Sequence, residues 1–277
     1  AAIAATIART PIAHLHGGEA TEGCIDEAIR HSITKMSHLH FVAAEEYRRR
    51  VIQLGEHTNR VFCVGGTGVD NIHKLDLLSK QELENSLDFE LGGKSILVTF
   101  HPVTLESNTS GDQMRELLAS LSEFTDHKII FTMPNADTDG REILKLIESF
   151  CLDNHNCRAY TSLGQLRYLS CLKYVDVVVG NSSSGLLEVP SFKIPTVNIG
   201  DRQKGRLKAG CVIDCSPIKN QIISAIKRAV SLDFKESCKV IKNPYGEGGA
   251  SQKIIQTIES IALEDIIKKS FYDIKLR

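Results

Sequence analysis

GNSSSGLLEVPSFKIPTVNIGDR, residues 180–202, follows directly on the valine-rich run Val175–Val179. The abrupt change reads as a buried strand that ends at Gly180-Asn181 and opens, through Ser182, Ser183 and Ser184, into a short helix. Backbone N–H groups and hydroxyls at such a helix start lack intrahelical partners. The helix dipole adds positive potential, so an anion such as a phosphate is favoured there. Glu188, one turn later, is placed to accept two hydroxyls of a ribose, and Arg202, beyond the next short strand, to grip a diphosphate. The stretch therefore reads as a seat for a nucleotide sugar. The plainer alternative is an ordinary capped helix, since Ser is a favoured N-cap residue.

Working outward, the segments before it share one rhythm. Ser95–Phe100 is a buried strand stopped by Pro102, which leaves His101 at its tip. Lys128–Thr132 is a strand followed by Met133-Pro134-Asn135, and Cys157–Thr161 is a strand followed by Ser162. Helical segments at about 113–124, 141–150 and 165–171 separate them, so the unit is βα and the sheet parallel. His101, Asn135, Ser162 and Ser182 then all lie at C-terminal strand ends, where open parallel sheets bind ligands. Strands at about 196–199 and 211–213 and a helix at 217–230 complete this domain.

The first part repeats the pattern. AAIAATIAR reads as the body of a helix, and Pro11–His16 as a strand ending in Gly17-Gly18-Glu19. Ile25, Ile29, Ile33 and Met36 recur at helical spacing, which predicts a helix with that face buried and Asp26 and Glu27 in its first turn. The acids are explained equally well by pairing with Arg30 and His31 along the helix. His14 and His16 share a strand face, but no HExxH-like spacing holds them to a metal. Gly65-Gly66-Thr67-Gly68 resembles a phosphate loop without the Lys-Ser/Thr of a Walker motif, so it is weak evidence of ligand contact. A final amphipathic helix is predicted over 250–267, with Ile254, Ile255, Ile258, Ile261 and Ile266 on one side.

Composition bounds the function. The chain has 277 residues, a formal net charge of −1, 42% hydrophobic and 24% charged residues. This balance argues against a dedicated nucleic-acid binder, and no apolar run approaches the ~20 residues that span a bilayer. The 8 cysteines form no CxxC pair. They read as reduced thiols packed as small hydrophobes in a cytoplasmic protein, not as disulfides or metal ligands.

HGGEATEGCIDEAIRHSITKMSHLHFVA, FHPVT, MPNAD, GNSSSGLLEVPSFKIPTVNIGDRQKGR and NPYGEGGASQKI occur in that order over nearly the whole chain. Together they resemble the hydrolysing UDP-N-acetylglucosamine 2-epimerases of sialic-acid biosynthesis. The resemblance implies an α/β fold of two Rossmann-like domains, glycosyltransferase-B-like, with the first domain incomplete. Residues 1–75 would be the remainder of the N-terminal domain, 76–245 the UDP-binding domain, and 246–277 a C-terminal helix returning to the first. Ser182, Ser183, Glu188 and Arg202 are implied in the UDP site, with Asn135 and Ser162 beside it and His101 at the glycosyl phosphate. Glu19, Asp26 and Glu27 correspond to the acids of the sugar site. The family implies no metal, no cofactor, and a small-molecule nucleotide-sugar substrate without nucleic-acid or membrane partners; a homo-oligomer is expected. A further catalytic Asp of the family lies upstream of the first helix. Roughly a hundred residues, most of one nucleotide-fold half, are absent relative to a complete two-domain member. The incomplete first domain is therefore expected to expose a sheet edge and an apolar face.

The implied reaction is anti elimination of UDP from UDP-N-acetylglucosamine to a glycal, then addition of water to release N-acetylmannosamine. A positioned carboxylate must reach the C2 proton while dipoles and cations stabilise the leaving diphosphate, with domain closure bringing the groups together. Alternatives from the same residues are a sibling enzyme acting on a UDP-2,4-diacetamido-trideoxy sugar, a glycosyltransferase of the same fold, and a non-catalytic UDP-binding module.

Overall fold

Strands that are apolar at successive rather than alternate positions need both faces covered, which is the situation in a parallel sheet wrapped by helices. The computed structural model, which describes residues 1–103, 109–134 and 140–275, realises that arrangement. The chain begins with α1 (Ala2–Ile7), β1 (Ala13–Leu15), α2 (Asp26–Met36), β2 (Leu39–Val42), α3 (Glu45–Gln53), β3 (Val61–Cys63) and α4 (Thr67–Lys74). Next come α5 (Lys80–Leu87), β4 (Ser95–Thr99), α6 (Ser110–Leu121), β5 (Lys128–Thr132), α7 (Gly140–Asp153), β6 (Cys157–Tyr160) and α8 (Gly164–Cys171). β7 (Val177–Gly180), α9 (Ser184–Leu187), β8 (Thr196–Ile199), β9 (Val212–Cys215), α10 (Lys219–Ala229), α11 (Leu232–Lys239) and α12 (Ala250–Ser260) follow.

The chain divides into two compact units, one of 1–21, 25–74 and 244–277, the other of 22–24 and 75–243. In the second, six parallel strands run in the order β6-β5-β4-β7-β8-β9. Counted from β4 this is the 3-2-1-4-5-6 order of a Rossmann sheet, whose topological switch point lies between β4 and β7. Ile96 and Val98 of β4, Ile129 and Phe131 of β5, and Val177 and Val179 of β7 bury one face against Met114 and Leu117 of α6 and Ile222 and Ile226 of α10. Leu97, Ile130 and Val178, the alternate residues, are buried as well.

The other unit carries a parallel three-stranded sheet in the order β1-β2-β3. Leu39, Phe41 and Val64 pack with Ala250, Ile254 and Ile266 from the C-terminal segment. Asp70 of α4 fastens that segment by accepting from the N–H groups of Ala250 (2.9 Å) and Ser251 (2.7 Å). Burial alone would raise the Asp70 carboxyl, but the Ser251 and Ala250 hydrogen bonds hold it below the usual range.

Three expectations are corrected here. Ile25 and Ile29 of α2 are 56% and 54% exposed, so the periodic isoleucine stripe is not the buried one. α2 turns its polar stripe inward instead: Glu27 accepts from Thr21, Arg30 donates to the Glu19 carbonyl, and Thr34 meets His14. The final helix stops at Ser260 rather than continuing to 267, and of its predicted stripe Ile255 and Ile258 are exposed while Ile254 is buried. Cys151 and Cys157 are joined as a disulfide rather than free, because the turn between α7 and β6 brings their Cα atoms to 5.2 Å. The other six cysteines are free thiols, four of them buried. No residue of α1 is buried, and Ile3 and Ile7 are 68% and 79% exposed.

Candidate functional site

Two groups of predicted residues are resolved, one in each unit. In the second unit His101 and Arg202 meet Asn181 at the switch point. Gly180, with φ of 141°, ends β7 against β4 so closely that a Cβ there would sit 1.9 Å from the Thr99 carbonyl oxygen. Only glycine lets the strand ends meet. Asn181, buried, then bridges them: its Oδ1 accepts from the His101 N–H (2.7 Å) and its Nδ2 donates to the His101 carbonyl (2.8 Å). His101 is thereby held at the β4 tip by both of its main-chain polar groups.

The carbonyl of Asn181 in turn accepts from Arg202 Nη1 (3.1 Å) and from Gln203 Nε2 (2.9 Å). Arg202 Nε and Gln203 Oε1 are buried and have no hydrogen-bond partner among the described residues. A buried guanidinium N–H without an acceptor is costly, and a bound oxyanion would remove that cost. The segment 22–24 lies on the same turn. Gly23 is close enough that a Cβ would meet the Asp201 carbonyl oxygen at 2.8 Å, and the Cys24 thiol donates to the Arg202 carbonyl at 3.7 Å.

Ser182, Ser183 and Glu188 lie on the loop and single helical turn that follow. α9 has only 4 residues before a 3-10 turn, Val189–Phe192, takes over. Its dipole is therefore that of one turn, and the exposed donors carry more of any anion affinity than the macrodipole does. Ser182 Oγ accepts from the Ser184 N–H at 3.4 Å, and Ser184 Oγ lies 2.5 Å from the Tyr168 hydroxyl. Burial pushes the Tyr168 phenol well above its ordinary range, and the Glu188 carboxylate adds to that rise. Tyr168 thus stays a neutral hydrogen-bonding group. Ser162 is exposed at the edge strand and spends its hydroxyl on the Gly164 N–H (3.1 Å) at the start of α8. Asn135 lies outside the described residues.

In the first unit the acids follow β1. Glu19 is 2% exposed, and its Oε1 lies 2.8 Å from His16 Nδ1. Glu27 accepts from the Thr21 N–H (2.5 Å), Arg30 Nη1 (3.2 Å) and His31 Nε2 (3.0 Å). Burial would raise its carboxyl, but Thr21, His31 and Arg30 keep it below the usual range and ionised. Asp26, at the start of α2, is exposed. Of the paired histidines, His14 meets Thr34 at 3.2 Å while His16 leaves the strand with φ of 62°. Among the described residues no three His, Cys, Asp or Glu side chains are arranged to hold a metal ion, and no helix is long and apolar enough to cross a membrane.

Sequence reasoning passed over Asn181, Gln203 and Tyr168, and also His16 as the partner of Glu19 and Thr67 as the partner of His16. Asn181 carried a signal in its place directly after a strand-ending glycine. Tyr168 carried none, because its link runs from α8 past β7 to Ser184 at the start of α9.

This fold and this geometry have counterparts. The UDP-N-acetylglucosamine 2-epimerase family profile matches residues 1–259. A GDP/UDP-N,N'-diacetylbacillosamine 2-epimerase (hydrolyzing) of Campylobacter jejuni is 41% identical over 95% of this chain and 69% of its own length. The polysialic acid biosynthesis protein P7 of Escherichia coli is 42% identical over 99% of this chain and 70% of its own. Among solved structures, the UDP-GlcNAc 2-epimerase of Neisseria meningitidis bound to UDP-GlcNAc superposes with a TM-score of 0.81 over 94% of this chain and 72% of that one. At 19% identity that likeness speaks for the fold alone, a glycosyltransferase-B-like α/β architecture. The profile match and the identities above 40% settle the lineage: the chain belongs to the UDP-N-acetylglucosamine 2-epimerase family.

Proposed function

We propose that the protein is a hydrolysing UDP-sugar 2-epimerase, in which the second unit binds the UDP moiety and carboxylates of the first unit move protons at the sugar. The observation that carries the nucleotide half is the buried, unpartnered Arg202 Nε beside the Asn181 carbonyl at the switch point. A diphosphate oxygen satisfies that donor, and the ribose hydroxyls go to Glu188, with Ser182 and Ser183 donating to phosphate. His101, fixed through its main chain, stabilises the departing phosphate. Asn135 and Ser162 are assigned to the same side of the reaction. Glu19 and Asp26 are assigned the proton transfers of elimination and hydration. Glu27, whose carboxylate already takes three donors, holds the loop that carries Glu19.

The sugar follows from the relatives. The 41% identical relative is named for diacetylbacillosamine, so a UDP-2,4-diacetamido-trideoxy sugar is the first substrate to supply. UDP-N-acetylglucosamine, giving N-acetylmannosamine for sialic-acid synthesis, is the second, on the likeness to a polysialic acid biosynthesis protein. Each sugar nucleotide is incubated with enzyme in H2(18)O, and the released sugar is analysed for configuration at C2 and for label at C1. Release of a 2-epimerised, C1-labelled sugar from either one supports the reading. Transfer to an acceptor without label, or UDP binding without release from either, refutes it.

A further inference from the structure

The Gly-rich loop Gly65–Gly68 finds its place through a side chain that the reaction as proposed does not use. His16 ends β1 in the left-handed region, φ of 62°, where a non-glycine residue is uncommon and strained. That turn carries both of its ring nitrogens into hydrogen bonds. Nδ1 is 2.8 Å from Glu19 Oε1, and Nε2 is 2.8 Å from Thr67 Oγ1 at the first residue of α4. The two flanking turns are sterically fixed. A Cβ on Gly18 would lie 2.3 Å from the Tyr47 carbonyl oxygen, and the Gly66 N–H is tied to the Tyr245 carbonyl at 2.8 Å.

The donor and acceptor roles follow from the chemistry of the partners. An ionised carboxylate only accepts, so the proton shared with Glu19 is on Nδ1. In the neutral ring with its proton on Nδ1, Nε2 is an acceptor, so Thr67 gives its O–H to Nε2 and keeps the ring in that tautomer. We propose that His16 is a positioning residue for the reaction, which aims the Glu19 carboxylate, and that Thr67 is the residue that fixes the tautomer in which it does so. This rests on the assignment of a proton transfer to Glu19. A buried carboxylate has several rotamers, and the His16 N–H selects one while favouring its charged form.

The test uses pairs of variants that differ in where they place a donor. His16→Asn puts an amide N–H near the Nδ1 position and tolerates the left-handed backbone, whereas His16→Gln reaches the Nε2 position instead. Thr67→Ser keeps the hydroxyl, and Thr67→Val keeps the shape without it. Turnover of the full chain, UDP affinity and the pH profile of kcat/KM are measured for all four, with Glu19→Gln alongside. The expected result is a loss of at least ~10-fold in kcat for His16→Gln and a smaller loss for Thr67→Val, with UDP affinity within twofold, and recovery in His16→Asn and Thr67→Ser. The limb of the profile set by Glu19 moves to higher pH in His16→Gln, because the hydrogen bond favouring its charged form is gone. Equal losses in His16→Asn and His16→Gln, or an unmoved limb, overturn the positioning role. An active Glu19→Gln overturns the assignment beneath it, and is told apart by that variant alone.

Discussion

Replacing Asn181 by Ala tests the architecture of the nucleotide seat most directly. The side chain makes two hydrogen bonds, both to the main chain of His101, at 2.7 Å and 2.8 Å, in a fully buried setting. Alanine removes both of those hydrogen bonds to the His101 N–H and carbonyl. Each buried polar group left unmade costs about 1–3 kcal/mol, so the pair costs about 3–4 kcal/mol once the entropy regained by losing the side chain is set against it. For a unit of this size that lowers the midpoint of thermal unfolding by about 7–14 °C. The sequence has no Trp, so unfolding is followed by far-UV ellipticity, with and without UDP. Asn85→Ala, which breaks an exposed Gln81–Asn85 pair at 3.0 Å, serves as the control and is expected within about 0.5 kcal/mol of the parent. UDP affinity should fall with stability in Asn181→Ala, since the Arg202 and Gln203 contacts to the Asn181 carbonyl depend on the same loop. A midpoint within 2 °C of the parent, read against that ~0.5 kcal/mol control, would refute the view that this side chain holds the switch point together.

Other perturbations separate the remaining roles. Glu188→Ala is expected to weaken UDP by about 1–3 kcal/mol in calorimetry, and unchanged affinity would return Glu188 to a surface role. His101→Asn is expected to lower turnover by at least ~100-fold with a smaller loss of UDP affinity, and equal losses in both would make it a binding residue only. Acid should destabilise the first unit in two stages. Burial, with the charges of His40 and Arg30, lowers His14 from 6.5 to about 4, so the unfolded chain binds its proton first and stability falls between those values as pH drops. Glu56 would be raised by burial, but His40, Lys35 and Lys269 bring it from 4.5 to about 2, and that contribution is lost below 4.5. His14 contributes about 2 kcal/mol between pH 7 and pH 5, and His14→Gln should remove that share in urea titrations at the two pH values, leaving the part due to His38 and His40, which burial also lowers. Equal stability of the parent at those two pH values would contradict the assignment.

The sheet of the second unit was legible because its strands are continuous apolar runs stopped by Pro102, Pro134 and Gly180, and because one βα unit repeats. Strand order was not, since it depends on which crossover each helix makes. α11 escaped notice because LDFKESCK, residues 232–239, has too little apolar periodicity and is held by Cys238 and Phe234 packing near Cys211. α2 was misjudged for an opposite reason. Its isoleucines have helical spacing, but hydrogen bonds to the loop before it outweigh apolar burial among the described residues. The strand end and turn at 180–184 were legible because a strand-ending glycine and a run of hydroxyls are local in sequence. Glu19 was singled out through the family resemblance, whereas the link from its partner His16 on to Thr67 was not legible, because 51 residues separate those two.

The two groups of site residues are held by different physical means, and this sets what each tolerates. At 180–185 the constraints are main-chain ones: Gly180 against Thr99, Asn181 on the His101 backbone, and Gly185, where a Cβ would meet Thr196 Cγ2 at 2.8 Å. Such contacts are indifferent to the sugar attached to the nucleotide, and few single substitutions preserve them. At 14–34 the constraints are side-chain hydrogen bonds, Glu19 to His16, Glu27 to Thr21, Arg30 and His31, and His14 to Thr34. Networks of that kind re-pair after one exchange of donor for acceptor, and with the re-pairing move both the aim of a carboxylate and its proton affinity. Divergence of sugar preference among relatives that keep UDP is therefore expected to trace to side chains around Glu19. A change of nucleotide would require rebuilding the chain path at Gly180.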